Sequence, residues 1–234
     1  MEDVDIHRYS RQMLLPSFHR RGQEALKKAR VVVIGAGGLG SSCLLYLAGA
    51  GFGCIRVVDF DVVEESNLHR QVIHSEDAAR GKLNKAESAV NQLSKLNSNI
   101  RYEPIKVKLT HNNVLAAVKD SDVVVDATDN FRARYLLCDA CFLQNIPLVS
   151  GSAVGLEGQI TVYKPSDTAC YRCLYPMPSV AENCRSCSNA GVLGPVPGVI
   201  GCMQATEAIK VILHLNSTND DNDGDANVSS SSSS

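Results

Sequence analysis

A glycine-rich turn follows a short β-branched run near the start of the chain. Residues 31–34 lead into the sequence GAGGLG, whose glycines are Gly35, Gly37, Gly38 and Gly40. A strand that meets such a turn and then an apolar helix places free backbone N–H groups and a positive helix end against phosphate oxygens. We therefore expect these glycines to bind nucleotide phosphates, although a tight strand-to-helix turn without a ligand has the same pattern.

The residues after the next apolar run help to decide whether the chain binds a nucleoside triphosphate or is a dehydrogenase. Asp59 ends that run roughly 20 positions beyond the glycines, where a ribose hydroxyl is held in dinucleotide-binding folds. Acids, amides and an arginine then follow. Such residues can bind a triphosphate and its metal, and they are not typical of the connection that follows this acid in a dehydrogenase. A polar loop with a helix cap at Ser66 is the alternative. The candidate nucleotide-binding residues here are Asp59, Asp61, Ser66, Asn67, Leu68, His69 and Arg70.

Seven segments carry a family resemblance: RYSRQ, GAGGLG, DFDVVEESNLHRQ, DATDN, GQITVY, CYRC and AGVLGPVPGVIGCMQATEAIK. From about Arg8 to His214 the chain resembles adenylyltransferases of the ThiF and MoeB type, which activate ubiquitin-fold sulfur carriers. It is most similar to the eukaryotic molybdopterin-synthase adenylyltransferase and sulfurtransferase branch. The resemblance implies a homodimer that uses ATP and Mg²⁺ to adenylate the carrier's C-terminal Gly-Gly carboxylate, for molybdopterin synthesis, tRNA thiolation or both.

The resemblance also implies roles for individual residues. Arg11 would reach across the dimer to the ATP phosphates of the other subunit. Lys85 would hold phosphate, with Lys82 as the competing candidate because the local spacing is loose. Asp129 would hold the catalytic Mg²⁺, and Asn130 would adjoin the nucleotide.

The end of the fourth predicted strand supports that assignment. Asp126, Asp129 and Asn130 all lie there. In doubly wound folds ligands bind beyond the carboxyl ends of the strands, so we expect acids at this place to face the nucleotide. Asp and Asn are also good helix caps, and both roles can coexist.

Two groups of cysteines are candidates for chemistry. Cys187 precedes the AGV segment, where the resemblance places an acyl- or persulfide-carrying cysteine. Cys170 and Cys173 form a C-x-x-C pair, which is half of a four-thiolate Zn²⁺ site. Cys184 and Cys187 could supply the other half, but zinc would then remove the nucleophile, so we favour a half site. The catalytic candidates are Arg11, Arg70, Asp129 and Cys187.

The elements that must position these residues alternate strand and helix. Strands are predicted at residues 29–34, 55–59, 100–107, 123–127 and 147–149, and helices at 38–49, 84–96, 112–119 and 131–144. This alternation predicts an α/β, Rossmann-like, doubly wound and mainly parallel sheet in residues 1–150.

The remaining chain predicts two further regions. Residues 151–215 form a smaller carboxy-terminal half for carrier binding and crossover, with a Gly-rich turn, a strand at 159–163 and a helix at 198–213. Residues 216–234 end in six serines and have too little apolar surface to repay ordering, which predicts a disordered tail.

Composition narrows the class of protein. With 234 residues and 44% hydrophobic content the chain can bury one good core, and a net charge of −2 predicts no nucleic-acid partner. We find no apolar run near the ~20 residues that span a bilayer and no signal peptide, so we expect a cytoplasmic protein without a membrane. Nine cysteines, several in C-x-x-C pairs, indicate reduced thiols rather than a disulfide framework.

Two other functions compete with the adenylyltransferase. An NAD-linked oxidoreductase is disfavoured by the segment from Asn67 to Arg70 and by Asp129. A truncated, non-catalytic paralogue that binds carrier or dimer partner is the stronger alternative. The family's eukaryotic branch carries a second zinc pair and usually a sulfur-supplying rhodanese domain, which this sequence does not encode, so sulfur transfer would need a separate donor.

Overall fold

A six-stranded sheet forms the centre of the protein. The computed structural model describes residues 3–176 and 191–224. The strands are β1 (Arg30–Ile34), β2 (Cys54–Val58), β3 (Arg101–Ile105), β4 (Val123–Asp126), β5 (Leu148–Val154) and β6 (Glu157–Tyr163). They lie in the order β3-β2-β1-β4-β5-β6, parallel except for β6, which pairs antiparallel with β5. The predicted doubly wound, mainly parallel sheet is confirmed.

Helices cover both faces of this sheet. They are α1 (Asp3–Met13), α2 (His19–Lys28), α3 (Gly38–Ala50), α4 (Glu76–Arg80), α5 (Lys85–Leu96), α6 (Val114–Val118), α7 (Phe131–Leu143), α8 (Tyr171–Leu174) and α9 (Pro195–Gly224). A short 3₁₀ helix, Glu65–Asn67, lies between β2 and α4.

The central strands are buried on both faces, which explains their uninterrupted β-branched runs. Val31 and Val33 of β1 point into one core, with α2, α3, α5 and α9. Val32 and Ile34 point into the other core, with α6, α7 and α8. Because successive side chains of a strand face opposite sides, one strand anchors both helical layers.

β5 is longer than its sequence predicts. Residues 151–154, expected to form a Gly-rich turn, continue the strand across the proposed boundary at residue 150. β6 pairs with β5 from Leu148 to Val154, and this backbone pairing outweighs the weak strand propensity of Gly151. The two predicted halves therefore share one sheet.

α9 begins earlier and ends later than the predicted helix. It continues to Gly224, so residues 216–224, which we assigned to a disordered tail, are helical. These residues continue a helix whose earlier turns are packed, so they extend it without the cost of nucleating a new one, which composition alone does not reveal. Residues 225–234 lie outside the described part of the chain.

α9 also corrects the expectation that no apolar run is long enough to span a bilayer. Its segment Pro195–His214 has that length and composition. The segment packs against α3, β5 and β6, and Ile200, Ala205, Ala208 and Ile212 are buried in the core. Because one face of the segment is buried in the core, its apolar composition is that of a core helix.

Candidate functional site

A cavity of about 430 Å³ opens at the carboxyl ends of β1, β2 and β4. The order of strands changes direction between β1 and β4, which is where doubly wound sheets bind ligands. The sequence-predicted residues on its wall are Gly35, Gly37, Gly38, Asp59, Asp61, Arg70, Lys85, Asp129 and Asn130.

Two positions of the glycine turn at the cavity can be occupied only by glycine, because a side chain there would collide with the backbone. Gly35 has φ +98°, and a Cβ there would lie 2.7 Å from the Ala127 carbonyl oxygen. Gly40 is not on the wall, but a Cβ there would lie 2.0 Å from the Gly35 carbonyl oxygen. α3 begins at Gly38 without a side-chain cap, so its first N–H groups are available to an anion.

Asp59 joins the glycine turn to the loop after β2. Its Oδ2 accepts from the Ala36 N–H (2.8 Å) and its Oδ1 from the Asp61 N–H (2.9 Å). Burial raises the pKa of Asp59, against the lowering effect of these two hydrogen bonds. Each carboxylate oxygen has more than one lone pair, so Asp59 can still accept from a ribose hydroxyl.

The structure distinguishes between the two candidate lysines. Lys85 is buried at the start of α5, and its Nζ lies 3.3 Å from Asp61 Oδ2 at the cavity wall. Lys82 is exposed and does not line the cavity. Asn84 caps α5 by accepting from the Ala86 and Glu87 N–H groups, which fixes the residue before Lys85.

Four predicted nucleotide-binding residues, Ser66, Asn67, Leu68 and His69, do not reach the cavity wall. Three of them instead surround Arg70, which does. Arg70 Nη2 donates to Asn67 Oδ1 (2.7 Å), and Nη1 lies 3.3 Å from His69 Nε2 and 3.5 Å from the Ser66 carbonyl oxygen. In this structure they orient the arginine, and their binding to a nucleotide stays a prediction.

The expectation that Asp126 faces the nucleotide is wrong. Its side chain is fully buried at the end of β4. Oδ1 accepts from the Thr128 N–H (3.0 Å) and hydroxyl (2.7 Å). Oδ2 accepts from Arg134 Nε (3.2 Å) and the Ser150 hydroxyl (2.9 Å). These partners draw the carboxylate into the protein and away from the cavity.

The next two predicted residues do face the cavity. Asp129 and Asn130 are both exposed on its wall. Asn130 also caps α7, because its Oδ1 accepts from the Ala133 N–H (2.9 Å). Asn130 thus has the expected capping role together with a position from which it could contact a ligand.

Two polar residues that the sequence analysis did not select complete this region. Gln71 is 4% exposed and lies on the cavity wall. His74 is buried, with Nε2 donating to the Ala36 carbonyl oxygen (2.8 Å) and Nδ1 accepting from the Ser88 hydroxyl (2.9 Å). Burial lowers the pKa of His74. For Gln71, its place directly after Arg70 was the available signal.

The remaining candidates that the structure describes lie apart from the cavity. Arg11 is exposed in the last turn of α1 and does not line the wall. Cys187 and Cys184 fall outside the described residues. Cys170 and Cys173 place their sulfurs 3.4 Å apart, and although burial raises the pKa of Cys170, the hydrogen bond with Cys173 leaves it lowered.

The described residues do not complete a metal site around that thiol pair. In residues 3–176 and 191–224, no group of three or more His, Cys, Asp or Glu side chains is placed to hold a metal ion. A structural zinc site needs four ligands, so the two cysteines alone could be only half of one, and the zinc half site stays a prediction.

Comparison with known proteins identifies relatives of the whole fold. Residues 9–228 match the model of the ThiF family. The Anopheles gambiae protein named adenylyltransferase and sulfurtransferase MOCS3 is 54% identical over 213 residues, covering 91% of this chain and 48% of that protein. The Arabidopsis thaliana protein of the same name is 52% identical over 206 residues, covering 88% of this chain and 44% of that protein. This chain therefore spans less than half the length of these relatives.

Among solved structures, Escherichia coli MccB has the same fold. The crystal structure of MccB with ATP superposes with a TM-score of 0.76 at 28% identity, covering 88% of this chain and 64% of that chain. MccB with succinimide gives a TM-score of 0.77 at 29% identity, with the same coverage.

Proposed function

Because the chain belongs to the ThiF family, we propose that it binds ATP in the cavity and adenylates the C-terminal carboxylate of a ubiquitin-like sulfur carrier ending in Gly-Gly. One observation carries the proposal: the glycine turn, Arg70, Lys85 and Asp129 all line the same cavity. The adenylyltransferase names of the relatives and the ATP complex of MccB support it.

The reaction suits a site without a strong base. The carrier carboxylate attacks the α-phosphorus of ATP, a carboxylate O–P bond forms, and the P–O bond to pyrophosphate breaks. Because a carboxylate is already a nucleophile, no proton needs to be removed. Catalysis then consists of positioning the reactants and neutralising charge, which is what the residues on this wall can do.

Each wall residue has a definite part in this proposal. The N–H groups at the start of α3 bind phosphate oxygens, and Lys85 and Arg70 offset the charge that develops on the departing pyrophosphate. Asp129, an exposed carboxylate on the wall, has the hard oxygen ligands that suit Mg²⁺. Bound Mg²⁺ supplies further neutralisation of the phosphates. Asp59 accepts from the ribose.

Arg11 completes the site only from a second subunit in this proposal. It lies outside the cavity of its own chain, on the exposed surface of α1. In a homodimer, Arg11 of one copy would bind the ATP phosphates in the cavity of the other copy. Arg11→Ala mixed with Asp129→Ala protein should then regain part of the activity that each variant lacks alone.

The proposal extends to a sulfur-transfer step after adenylation. The Cys187 thiolate would attack the acyl carbonyl and displace AMP, and a separate sulfur donor would act on the product, for molybdopterin synthesis, tRNA thiolation or both. Cys187→Ala should keep adenylation and lose the covalent carrier adduct. We place the reaction in the cytoplasm, where free thiols such as the seven described cysteines persist.

Carrier-dependent exchange of labelled pyrophosphate into ATP tests the adenylation step. We expect exchange with a ubiquitin-fold carrier ending in Gly-Gly and none with the same carrier lacking both glycines. ATP binding without exchange, in folded dimeric protein, would instead support a non-catalytic paralogue. Preferential binding of NADH over ATP would support an oxidoreductase.

A further inference from the structure

A buried histidine holds one peptide of the glycine turn. His74 lies between the 3₁₀ helix and α4, and it is 8% exposed. Its Nε2 donates to the Ala36 carbonyl oxygen (2.8 Å), which belongs to the turn GAGGLG. This carbonyl oxygen accepts from no other group within the described residues. The imidazole is therefore what fixes the direction of the Ala36 carbonyl.

The peptides on both sides of this one are held by other residues. Asp59 Oδ2 accepts from the Ala36 N–H (2.8 Å), which fixes the peptide before Ala36. The N–H and the hydroxyl of Ser41 donate to the Gly37 carbonyl oxygen (2.9 and 2.7 Å), which fixes the peptide after Gly37. Loss of the His74 imidazole would therefore free the middle one of three consecutive peptides.

The direction of the Ala36 carbonyl also sets the direction of the Gly37 N–H. In a planar trans peptide the C=O and the following N–H point in opposite directions, and the described chain contains no cis peptide. The Gly37 N–H therefore points away from His74. Gly37 borders the cavity directly before α3, and its N–H donates to no group among the described residues. This N–H is available to a bound anion.

Without the histidine, the Ala36–Gly37 peptide could turn over. Such a flip changes ψ of Ala36 and φ of Gly37, and glycine adopts positive and negative φ about equally readily. The flip would put the Ala36 carbonyl oxygen where the Gly37 N–H had been. A carbonyl oxygen and an ionised phosphate oxygen are both acceptors and repel each other. The flipped turn would therefore disfavour the phosphate that the present turn can bind.

The surroundings of His74 keep it in the tautomer that this contact requires. The Ala36 carbonyl can only accept, so the proton is on Nε2 and Nδ1 must accept. Ser88, which is buried in α5, donates its hydroxyl to Nδ1 (2.9 Å). Burial lowers the pKa of His74, and the charge of Lys85 lowers it too, against the raising effect of the hydrogen bond to Ala36. The neutral imidazole with its proton on Nε2 is therefore favoured.

We propose that His74 is a positioning residue for nucleotide binding: its hydrogen bond to the Ala36 carbonyl prevents the Ala36–Gly37 peptide from flipping and keeps the Gly37 N–H directed at a phosphate of ATP. The proposal rests on the proposed function, because it takes ATP as the ligand of the cavity. His74 does not line the cavity. It acts through the backbone of the glycine turn, and Ser88 acts through His74.

Two substitutions that differ in one hydrogen-bond donor test this role. His74→Gln keeps an N–H donor near the position of Nε2, whereas His74→Met has a side chain of similar length and no donor. The Kd of a non-hydrolysable ATP analogue is measured directly, and the Kd of adenosine by competition with it. His74→Met should raise the Kd of the analogue about tenfold, and His74→Gln less than about threefold. The Kd of adenosine, which has no phosphate, should change less than about twofold in both variants.

Asn97→Leu is the matched control for the loss of a buried hydrogen bond. Asn97 is fully buried, and its Nδ2 donates to the Ala48 carbonyl oxygen (2.9 Å), in the last turn of α3, and to the Tyr9 hydroxyl (2.8 Å). Like His74 it holds a backbone carbonyl, but not one in the glycine turn. Its replacement should lower Tm and leave the Kd of the ATP analogue within about twofold of the wild-type value.

The other outcomes overturn the proposal. An equal Kd of the analogue in wild-type and His74→Met protein would show that the turn keeps its shape without the histidine. Equal losses in His74→Gln and His74→Met would show that the donor to Ala36 is not what matters. An equal loss for adenosine, or in Asn97→Leu protein, would show a general loosening of the structure.

These results are distinguishable from a failure of the proposed function. Any of them, together with normal pyrophosphate exchange by the wild-type protein, removes the role of His74 and leaves adenylation intact. If the wild-type protein fails both to bind the ATP analogue and to exchange pyrophosphate, the proposed function is wrong, and the role of His74 falls with it.

Discussion

Asp126 and Asp129 lie at the same edge of the sheet in opposite surroundings. Asp126 is fully buried, and both of its oxygens accept from Thr128, Arg134 and Ser150. Asp129 is exposed on the wall of the cavity. A carboxylate whose lone pairs are occupied by its own protein stabilises the fold, whereas one left open toward a cavity is available to a metal or ligand.

The basic residues Arg134 and Lys85 differ in the same way: one is paired inside the protein and the other at the cavity. Arg134 pairs with Asp126 and also lies over the Tyr171 ring at 5.8 Å. Burial alone would lower the pKa of Arg134, but the neighbouring Asp126 carboxylate raises it. Lys85 pairs with an Asp61 side chain that is 50% exposed and that also borders the cavity. The first pair is closed within the protein, and the second can be rearranged by a bound phosphate.

The strongest test of this contrast is Asp126→Ala. Removing one partner of a buried ion pair leaves the other charge uncompensated, so we expect a loss of about 3–5 kcal/mol in the free energy of unfolding. Urea denaturation measures it. A loss below about 1 kcal/mol would show that the Arg134 guanidinium finds other partners and that this region is not closed.

Asp129→Ala should have the reverse effect. We expect pyrophosphate exchange to fall by at least about 100-fold, or about 2.7 kcal/mol of transition-state stabilisation. Stability should change by less than about 0.5 kcal/mol, as for other surface positions. Equal losses of activity and stability would contradict the division between the two acids.

Lys85→Met should produce a smaller change. We expect exchange to fall about 10- to 100-fold because a phosphate ligand is lost. The pair with the half-exposed Asp61 contributes at most about 1 kcal/mol to stability. Lys82→Met is the matched control, and activity lost equally in both variants would remove the distinction that the structure makes between the two lysines.

The smallest effect concerns pH and His74. Because burial lowers the pKa of His74 in the folded state, the unfolded state binds a proton first, and stability is lost as pH falls below about 6.5. The loss is about 1.4 kcal/mol for each unit by which the pKa is lowered. Unfolding measured between about pH 7.5 and 5.5 should show a shallower decline in His74→Gln protein. The same decline in both proteins would assign it to other groups.

Local patterns were sufficient for most of the fold. The apolar runs predicted β1, β2 and β4 to within one residue at each end, since strands buried on both faces need continuous apolar sequence. The partly exposed edge strand β3 also lies within its predicted range. The extension of β5 and the length of α9 were not predicted, because β5 is stabilised by pairing with β6 and α9 by packing against α3.

For the site, the sequence by itself determined the glycine turn, the acid after β2 and the polar segment that ends at Arg70, because each depends on neighbouring residues within one strand-turn-helix unit. The tertiary structure alone decided that Lys85 lines the cavity and that the Asp126 side chain is withdrawn from it. Those outcomes depend on which distant groups occupy a side chain's hydrogen-bonding positions, and that is set by how the strands and helices pack.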